Sequence, residues 1–557
     1  MNQRHTTWFL IAIFATFSYL GFTGLDNAWF WDDEAFASIT ARNLNRTGEL
    51  TAWDGRNLAT YNKGVFLTKD LVNTITPVHF FIVAQSQRIF GTNTFAGRFP
   101  SVLFGLSTLF LLHKILSRQF GRGSLTHLYM LAIWALASSP LLFCRTGRYY
   151  SLMLALFVGS FYLYTLYVEK RHPLPLMGLV ALAILGYFTH PLIWIASYSA
   201  LAVHFLIFHI RSLKVRDAVW ITLAALVVAV VCLPVLLKNR DWYTTAYGNE
   251  TVWFIRKPIL FWYYLRDLNL LGIFAWPSAL AMLIVAAFKL VKNRDWTLAS
   301  IRPWADWAVL GVAYLFFLCI FSRQPTSLTA FADMRYAVPA LPFLTIFLAT
   351  ACVLLHKRHW ALGVALALVC TMTNALGYLP TPRWTAKWLL PAFVREIHNP
   401  YPTAVEAVTA YLNEHANQDD IVYVVPDYET YPLMFYLGDR IKLAGILTDS
   451  SPPKAQIPGD PDYLYTERAA PDWIVFYGLH VDPGQLAGYF GRQRESDTSS
   501  TATKYTLATI LDTYWGNTQK PEPAAHQFTP ITDFDPAKEG IIILRRVTAN
   551  PPDAESP

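Results

Sequence analysis

From Trp8 to Tyr378 the chain repeats one pattern, in which apolar runs near the length of a membrane span are separated by short polar joints. A helix needs roughly 20 apolar residues to cross the hydrocarbon core, and within that core every backbone N–H and C=O must be satisfied inside the segment. Repeated runs of this kind leave a bundle of membrane helices as the architecture for this part of the chain. Composition agrees: 54% of residues are apolar and only 15% charged, with a mean hydropathy of +0.31, beyond an ordinary soluble protein. After about Pro380 the text turns charged and Pro-rich, which predicts a separate water-exposed domain of about 170 residues. The net charge of +7 carries no nucleic-acid message, because the basic residues are scattered through the joints.

Basic residues orient the spans, since cytoplasmic joints collect Lys and Arg. The first run, about Trp8 to Leu25, reads as an uncleaved anchor behind MNQRH. The next, about Val102 to Leu116, ends in Lys114, Arg118 and Arg122, so residues 26–98 lie outside. Within them PVHFFIVAQSQRIFG is too short and polar for a span and predicts an interfacial or half-embedded helix. Further spans fall near 125–143, 148–168, 174–188, 191–210, 217–237, 269–290, 305–322, 337–355 and 360–378, about eleven in all. The inner joints carry Lys170 and Arg171, then Arg211, Lys214 and Arg216, then Lys289, Lys292 and Arg294, then Lys357 and Arg358. This regular return places the N-terminus in the cytoplasm and the C-terminal domain outside, in a multi-pass protein of the plasma or inner membrane. Cys144, Cys232, Cys319, Cys352 and Cys370 fall in or beside spans with no metal-type spacing, so no metal is expected.

In WFWDDEAF three acids, Asp32, Asp33 and Glu34, follow the first span directly. Carboxylates at the mouth of a span are costly unless they face water or act on a substrate, which marks a candidate active site. The competing reading is that Asp32 or Asp33 caps the helix begun by AFASITARNL. Neighbours on a helix point about 100° apart, so Asp33 and Glu34 are not expected to share one task.

The outer joints carry the other unusual residues. FCRTGRYYSLM sets Arg145 and Arg148 beside Tyr149 and Tyr150, ADMRYAVPALP holds Arg335 and Tyr336, YFTHP puts His190 in a turn, and His79 opens the interfacial helix. Guanidinium is the preferred partner of phosphate because its planar fork stays charged. The alternatives are headgroup anchors for the arginines and ordinary turn or interfacial roles for the histidines. The segment 238–268, rich in Trp, Tyr, Arg and Lys, reads either as a flap over substrate or as an aromatic belt. Asn45 and Asn249 stand in N-x-T sequons. In the C-terminal domain a helix, a buried strand and a second helix, then strands PDWIVFYG and GIIILRRV, predict a small α/β layer. Asp427 and Glu429 fall either at a strand's carboxyl end, where such sheets bind ligands, or in a turn with a capping acid.

Together WFWDDEAFASITARNLNRTGEL, TPVHFFIVAQSQRIFGTNTFAGRFPSVLFG, RTGRYYSLMLAL, YFTHP and MRYAVPALP resemble, in order, the signatures of the GT-C membrane glycosyltransferases. The resemblance is to the group holding protein O-mannosyltransferases and the lipid A aminoarabinose transferase, and it covers roughly residues 1–380. It implies a GT-C transmembrane catalytic domain over 1–380 and a soluble extracytoplasmic α/β domain over 381–557. It also implies transfer of a sugar, with inversion, from a polyprenyl-phosphate donor to a protein, lipid or glycan acceptor outside the membrane. By the same resemblance Asp33 is the acid acting on the acceptor and Glu34 its partner, with Asp32 leaving a register one residue earlier open. In the aminoarabinose branch a lysine that touches donor phosphate precedes the proline of TPVHFF. Here Thr76 takes its place, which argues against aminoarabinose transfer and leaves Lys63 or Lys69 to serve.

The residue types suit that chemistry independently. A hydroxyl acceptor needs a base such as Asp33, and a lipid-phosphate leaving group needs cations, here Arg148, Arg335, Arg145 or Lys63. His79, His190, Tyr149 and Tyr336 are the substrate-facing candidates. No nucleotide-cradling glycine loop is found in the outer segments, and no cofactor is expected. The alternative is a transporter or flippase of a lipid-linked substrate, for which intramembrane charges would line a path. Such a protein is expected to show internal repeats, and none is visible.

Overall fold

The computed structural model describes residues 3–72, 76–239, 253–268, 298–322, 333–375, 387–448, 457–465, 468–478, 504–521 and 526–547. Among them seven helices are long and apolar enough to cross a membrane, or eight if one bent pair is a single span. Helix α1 (Gln3–Phe22) leads to α2 (Asp32–Thr47), α3 (Val78–Phe90) and the long α4 (Thr94–Gln119). The bent pair α5 (Leu125–Leu136) and α6 (Ser138–Cys144) turns by 56° at Ala137. Next come α7 (Tyr150–Lys170), α8 (Pro173–Tyr187), α9 (Pro191–Phe208), α10 (Val215–Lys238), α11 (Trp253–Asp267) and α12 (Leu298–Phe321). A 3-10 segment (Met334–Ala340) runs into α13 (Leu341–Arg358), and α14 (Trp360–Met372) closes the bundle. Each sequence-read span that falls on described residues coincides with a helix, but α8 and α14 are too short to count among the seven or eight. The expected span at 269–290, the sequon at Asn249 and much of the expected 238–268 flap lie outside the described residues.

The bundle's two ends differ in chemistry. At one end the expected inner joints meet one another: Arg118 pairs with Glu169, Arg171 with Asp217, and Arg302 with His209. At the other, α2, the joints before α7 and α9, and the 334–340 turn gather. The 13-residue α3 is not a span; it packs His79, Phe80, Val83, Ala84, Ser86 and Gln87 inward against α2 and α4.

The chain's last part is a sheet with helices: α15 (Leu389–His398), α16 (Ala404–His415), α17 (Thr430–Leu437), and strands β1 (Ile421–Val425), β2 (Lys442–Leu443), β3 (Trp473–Tyr477), β4 (Lys504–Leu511) and β5 (Ile541–Val547). Strand order is β2-β1-β3-β5-β4, with β1 parallel to β2 and β3, and β5 antiparallel to β3 and β4. The expected α/β layer is present; β2 and β4 went unread, β2 being two residues and β4 polar along much of its length.

This domain shares a core with the α2 end of the bundle. Phe30, Phe36 and Ile39 from around α2 pack with Tyr431, Met434 and Phe435 of α17. Polar locks surround that core. Arg42 donates to the Phe435 carbonyl, and the Asn57 amide donates to the Gly438 and Ile441 carbonyls while accepting from the Leu443 N–H. Buried apolar area of this kind, with these hydrogen bonds at its rim, holds the sheet domain over α2.

Candidate active site

Helix α2 begins at Asp32, so the three acids fill its first turn, where the positive end of the helix dipole favours them. The N-cap is Trp31, which makes no side-chain cap. Neither Asp32 nor Asp33 is the N-cap residue itself, but Asp32 does satisfy one first-turn N–H. The Asp32 carboxylate accepts from the adjacent Asp33 N–H at 2.6 Å.

Asp33 is buried and held from three sides. Arg335 Nη1 donates to Asp33 Oδ2 at 2.5 Å, Arg148 Nη2 stands 3.5 Å from Oδ1, and the Tyr61 hydroxyl donates to Oδ1 at 2.9 Å. Arg148 Nη1 also reaches the Asp33 carbonyl at 3.1 Å. Arg335 is itself aimed by Asp333, which accepts from Nε at 2.8 Å and Nη2 at 2.6 Å. Burial alone would raise the Asp33 carboxyl, but Arg148, then Arg335, then the Tyr61 hydrogen bond outweigh it and hold the group below the usual carboxylate range. Asp32 goes the other way. Burial first, then the charges of Asp33 and Glu429, push it up to about 8, while Lys520 opposes the shift.

Aromatic rings wall the arginines. Tyr149 lies against Arg148, its ring 5.1 Å from the guanidinium, and stacks on His190 at 4.4 Å and 28°. His190 meets Tyr336 at 5.3 Å, and Tyr336 flanks Arg335 at 5.7 Å. His190 also N-caps α9, its Nδ1 accepting from the Ile193 N–H. His79 Nε2 meets the Gly147 carbonyl at 3.1 Å. Burial first, then nearby arginine charge, pushes both histidines down to about 3, so both are neutral.

The structure thus brings together Asp33, Arg148, Arg335, Tyr149, Tyr336 and His190, with His79 one layer behind. Three expectations change. Glu34 does not face this cluster. It forms a two-point ion pair with Arg98 (Nε to Oε1 2.8 Å, Nη2 to Oε2 2.6 Å) and accepts from the Gly147 N–H at 2.6 Å. One helical step turns it away from Asp33 and into the packing between α2, α4 and the joint before α7. Arg145, expected on donor phosphate, donates to the carbonyls of Leu20, Gly21, Thr23 and Gly24, because it ends α6 on the side facing the C-terminus of α1. Lys63, the other expected phosphate ligand, reaches the Gly445 carbonyl at 2.5 Å and Asp427 at 3.7 Å, tying the outer loop to the sheet domain. Lys69 is exposed.

Gly147 permits this arrangement. A Cβ there would lie 3.0 Å from the Gly97 carbonyl oxygen and 3.5 Å from Glu34 Oε1, so a side chain would have to push the joint a few tenths of an ångström off α4. Sequence reading missed Tyr61, Arg98, Asp333, Glu429's closeness to Asp32, and Lys520. Of these only Asp333, two residues from Arg335, carried a local signal. Glu429 does sit at the carboxyl end of β1, as expected, and is buried. Among the described residues no three His, Cys, Asp or Glu side chains are grouped to hold a metal ion.

The fold, a helical membrane bundle with a sheet domain packed against one end, is the one found in solved GT-C glycosyltransferases, and the chain is an integral membrane protein. Residues 74–237 match the family described as dolichyl-phosphate-mannose-protein mannosyltransferase. In fold the chain is similar to ArnT from Cupriavidus metallidurans bound to undecaprenyl phosphate, with a TM-score of 0.52, 13% identity and 98% of each chain covered. The apo state of the same protein gives a TM-score of 0.54 at 13% identity, covering 97% of this chain and 98% of that one. No protein of curated function matches the sequence.

Proposed function

We propose that the protein is a membrane glycosyltransferase. It takes a sugar from a polyprenyl-phosphate donor and passes it, with inversion, to a hydroxyl acceptor on the extracytoplasmic face. In this reading residues 1–380 form the catalytic domain, residues 381–557 form the outer domain that covers it, and the N-terminus is cytoplasmic. The observation that carries it is the convergence on one buried aspartate, Asp33, of two guanidiniums from separate joints, Arg148 and Arg335. Undecaprenyl phosphate in the ArnT structure supports a donor of this class.

The chemistry follows from the residues. Arg335 and Arg148 hold the donor phosphate and take up the charge that develops on its oxygen as the glycosidic bond breaks. The Asp33 carboxylate accepts the acceptor's hydroxyl proton as that oxygen attacks the anomeric carbon. Neutral His190 and His79 add no charge, and the rings of Tyr149, Tyr336 and His190 exclude water and offer faces to a sugar. Glu34 and Arg98 position the helix that carries Asp33.

With a defined polyprenyl-phosphate sugar, Arg335→Lys keeps the charge and loses the fork, so donor KM should rise by about tenfold or more with kcat less affected. Unchanged kinetics would reduce Arg335 to a structural ion pair and remove the phosphate site. Mass spectrometry of envelope glycans with and without the active protein would identify sugar and acceptor together; identical glycans would count against transfer.

A further inference from the structure

Building on that reading, we propose that Asp33 is masked in the unliganded protein and that the donor's phosphate unmasks it by taking over Arg335 and Arg148. Asp33 and Asp333 already pair with Arg148 and Arg335, so the two guanidiniums meant for an anion are occupied before the anion arrives. A lipid-phosphate sugar is a phosphodiester and brings one more negative charge into a buried place. That is costly unless one carboxylate gives way.

The two carboxylates are not held equally. Asp333 grips Arg335 at two points, 2.8 and 2.6 Å, from two residues away on the same turn. Asp33 has a single contact with Arg335 Nη1 and a longer, 3.5 Å pairing with Arg148. Asp33 is the one that yields. Donors also stand ready for the newcomer: Arg148 Nε and the Tyr150 hydroxyl are buried and have no hydrogen-bond partner among the described residues. Buried donors are rarely left unpaired in a finished protein, and phosphate oxygens would satisfy both. Tyr150 opens α7 two residues after Arg148, its ring 4.9 Å from that of Tyr149, which adds Tyr150 to the phosphate-binding set.

Once its arginines turn to phosphate, Asp33 faces a different field. Its own helix presents Asp32, the outer loop Tyr61, the 334–340 turn Tyr336, α7 Tyr150, and the sheet domain Tyr431 and Lys520. Two cations have been withdrawn and an anion added, so its affinity for a proton rises. The step then balances. The acceptor O–H proton goes to Asp33, the acceptor oxygen bonds to the anomeric carbon, and the bond from that carbon to the phosphate oxygen breaks with its electron pair on oxygen. The departing polyprenyl phosphate dianion stays on the arginines and Tyr150, and Asp33 returns its proton to solvent as that lipid leaves. Base strength is thereby created only when donor is bound, which keeps water and acceptor from being activated in its absence.

The test is equilibrium binding of the methyl ester of a polyprenyl phosphate, a diester whose single charge does not titrate, to the full-length protein in detergent. Wild-type affinity should strengthen as pH falls from about 7 to 5, because Asp33, ionised in the free protein across that range, takes up a proton as the diester takes its arginines; Asp32, protonated below about 8, adds no step in that range. Asp33→Asn should bind the diester about tenfold or more tightly than wild type at pH 7 and show no pH dependence, while turning over poorly. Asn binding no better than Asp, or wild-type binding flat with pH, overturns the unmasking. Arg335→Lys separates this failure from failure of the site: if that variant binds the diester as well as wild type, the phosphate site itself is wrong. The wild-type pH series stands even if Asp33→Asn does not fold.

Discussion

Glu34→Gln tests whether the second acid of the pair works by chemistry or by position. Its carboxylate lies 1% exposed between the Arg98 guanidinium and the Gly147 N–H. Glutamine keeps the size and can still accept from Gly147 but removes the charge opposite Arg98. Three backbone carbonyls, those of Leu25, Ala28 and Trp29, continue to accept from Arg98, so its hydrogen bonds are only partly lost. Removing one partner of a buried ion pair costs about 3–5 kcal/mol, and the remaining carbonyls place this case near the low end. The measurement is thermal unfolding of the purified protein in detergent, together with turnover per correctly folded molecule. Lower stability should accompany a moderate loss of turnover, and Glu34→Gln with Arg98→Met should recover part of the stability, giving a coupling energy of about 2 kcal/mol in a double-mutant cycle. A Glu34→Gln protein with wild-type stability and turnover down by about 10³-fold would show that Glu34 acts on substrate, and the positioning role would be refuted.

Asp33→Asn should lower turnover by roughly 10²- to 10⁴-fold with folding intact, whereas Asp32→Asn should keep most activity because an amide replaces a carboxyl already protonated at neutral pH; the opposite pattern moves the base to Asp32. Burial raises the Asp32 carboxyl to about 8, so the folded protein keeps a proton that the unfolded chain releases near its ordinary value of 3.8. Its contribution is therefore fully present below about pH 4 and lost as pH rises to about 8, and Asp32→Asn should gain thermal stability relative to wild type across that window; a constant difference would mean Asp32 is ionised. All five native cysteines are buried, so an impermeant thiol reagent on intact cells should label a cysteine placed at exposed Glu414 and not one at exposed Ser212, and the reverse would put the site on the cytoplasmic face.

Much of this protein is readable from its sequence because the forces involved are local or one-dimensional. Apolar length specifies a span wherever the surrounding solvent is hydrocarbon, so α1, α4, α7, α9, α10, α12 and α13 announce themselves without reference to one another. The acids at the start of α2 and the alternation of strand and helix after residue 400 are visible for the same reason. Arginine at the joints stands out by its chemistry alone, and Arg148 and Arg335 do converge on Asp33.

Which arginine converges was decided elsewhere. Arg145 and Arg148 stand three residues apart in one motif, yet one feeds the carbonyls ending α1 and the other pairs with Asp33. Asp33 and Glu34 are neighbours, yet one faces the site and the other meets Arg98, 64 residues away. Helical geometry says that adjacent side chains diverge by about 100° but not which of the two points inward. That choice depends on how α2 is rolled against α4 and the joint before α7, through the close approach of Gly147 to Gly97, and on where the sheet domain settles. Lys63, Tyr61, Glu429 and Lys520 take their roles from that docking too, because each acts across a contact between segments remote in sequence, where direction comes from packing and composition carries no direction at all.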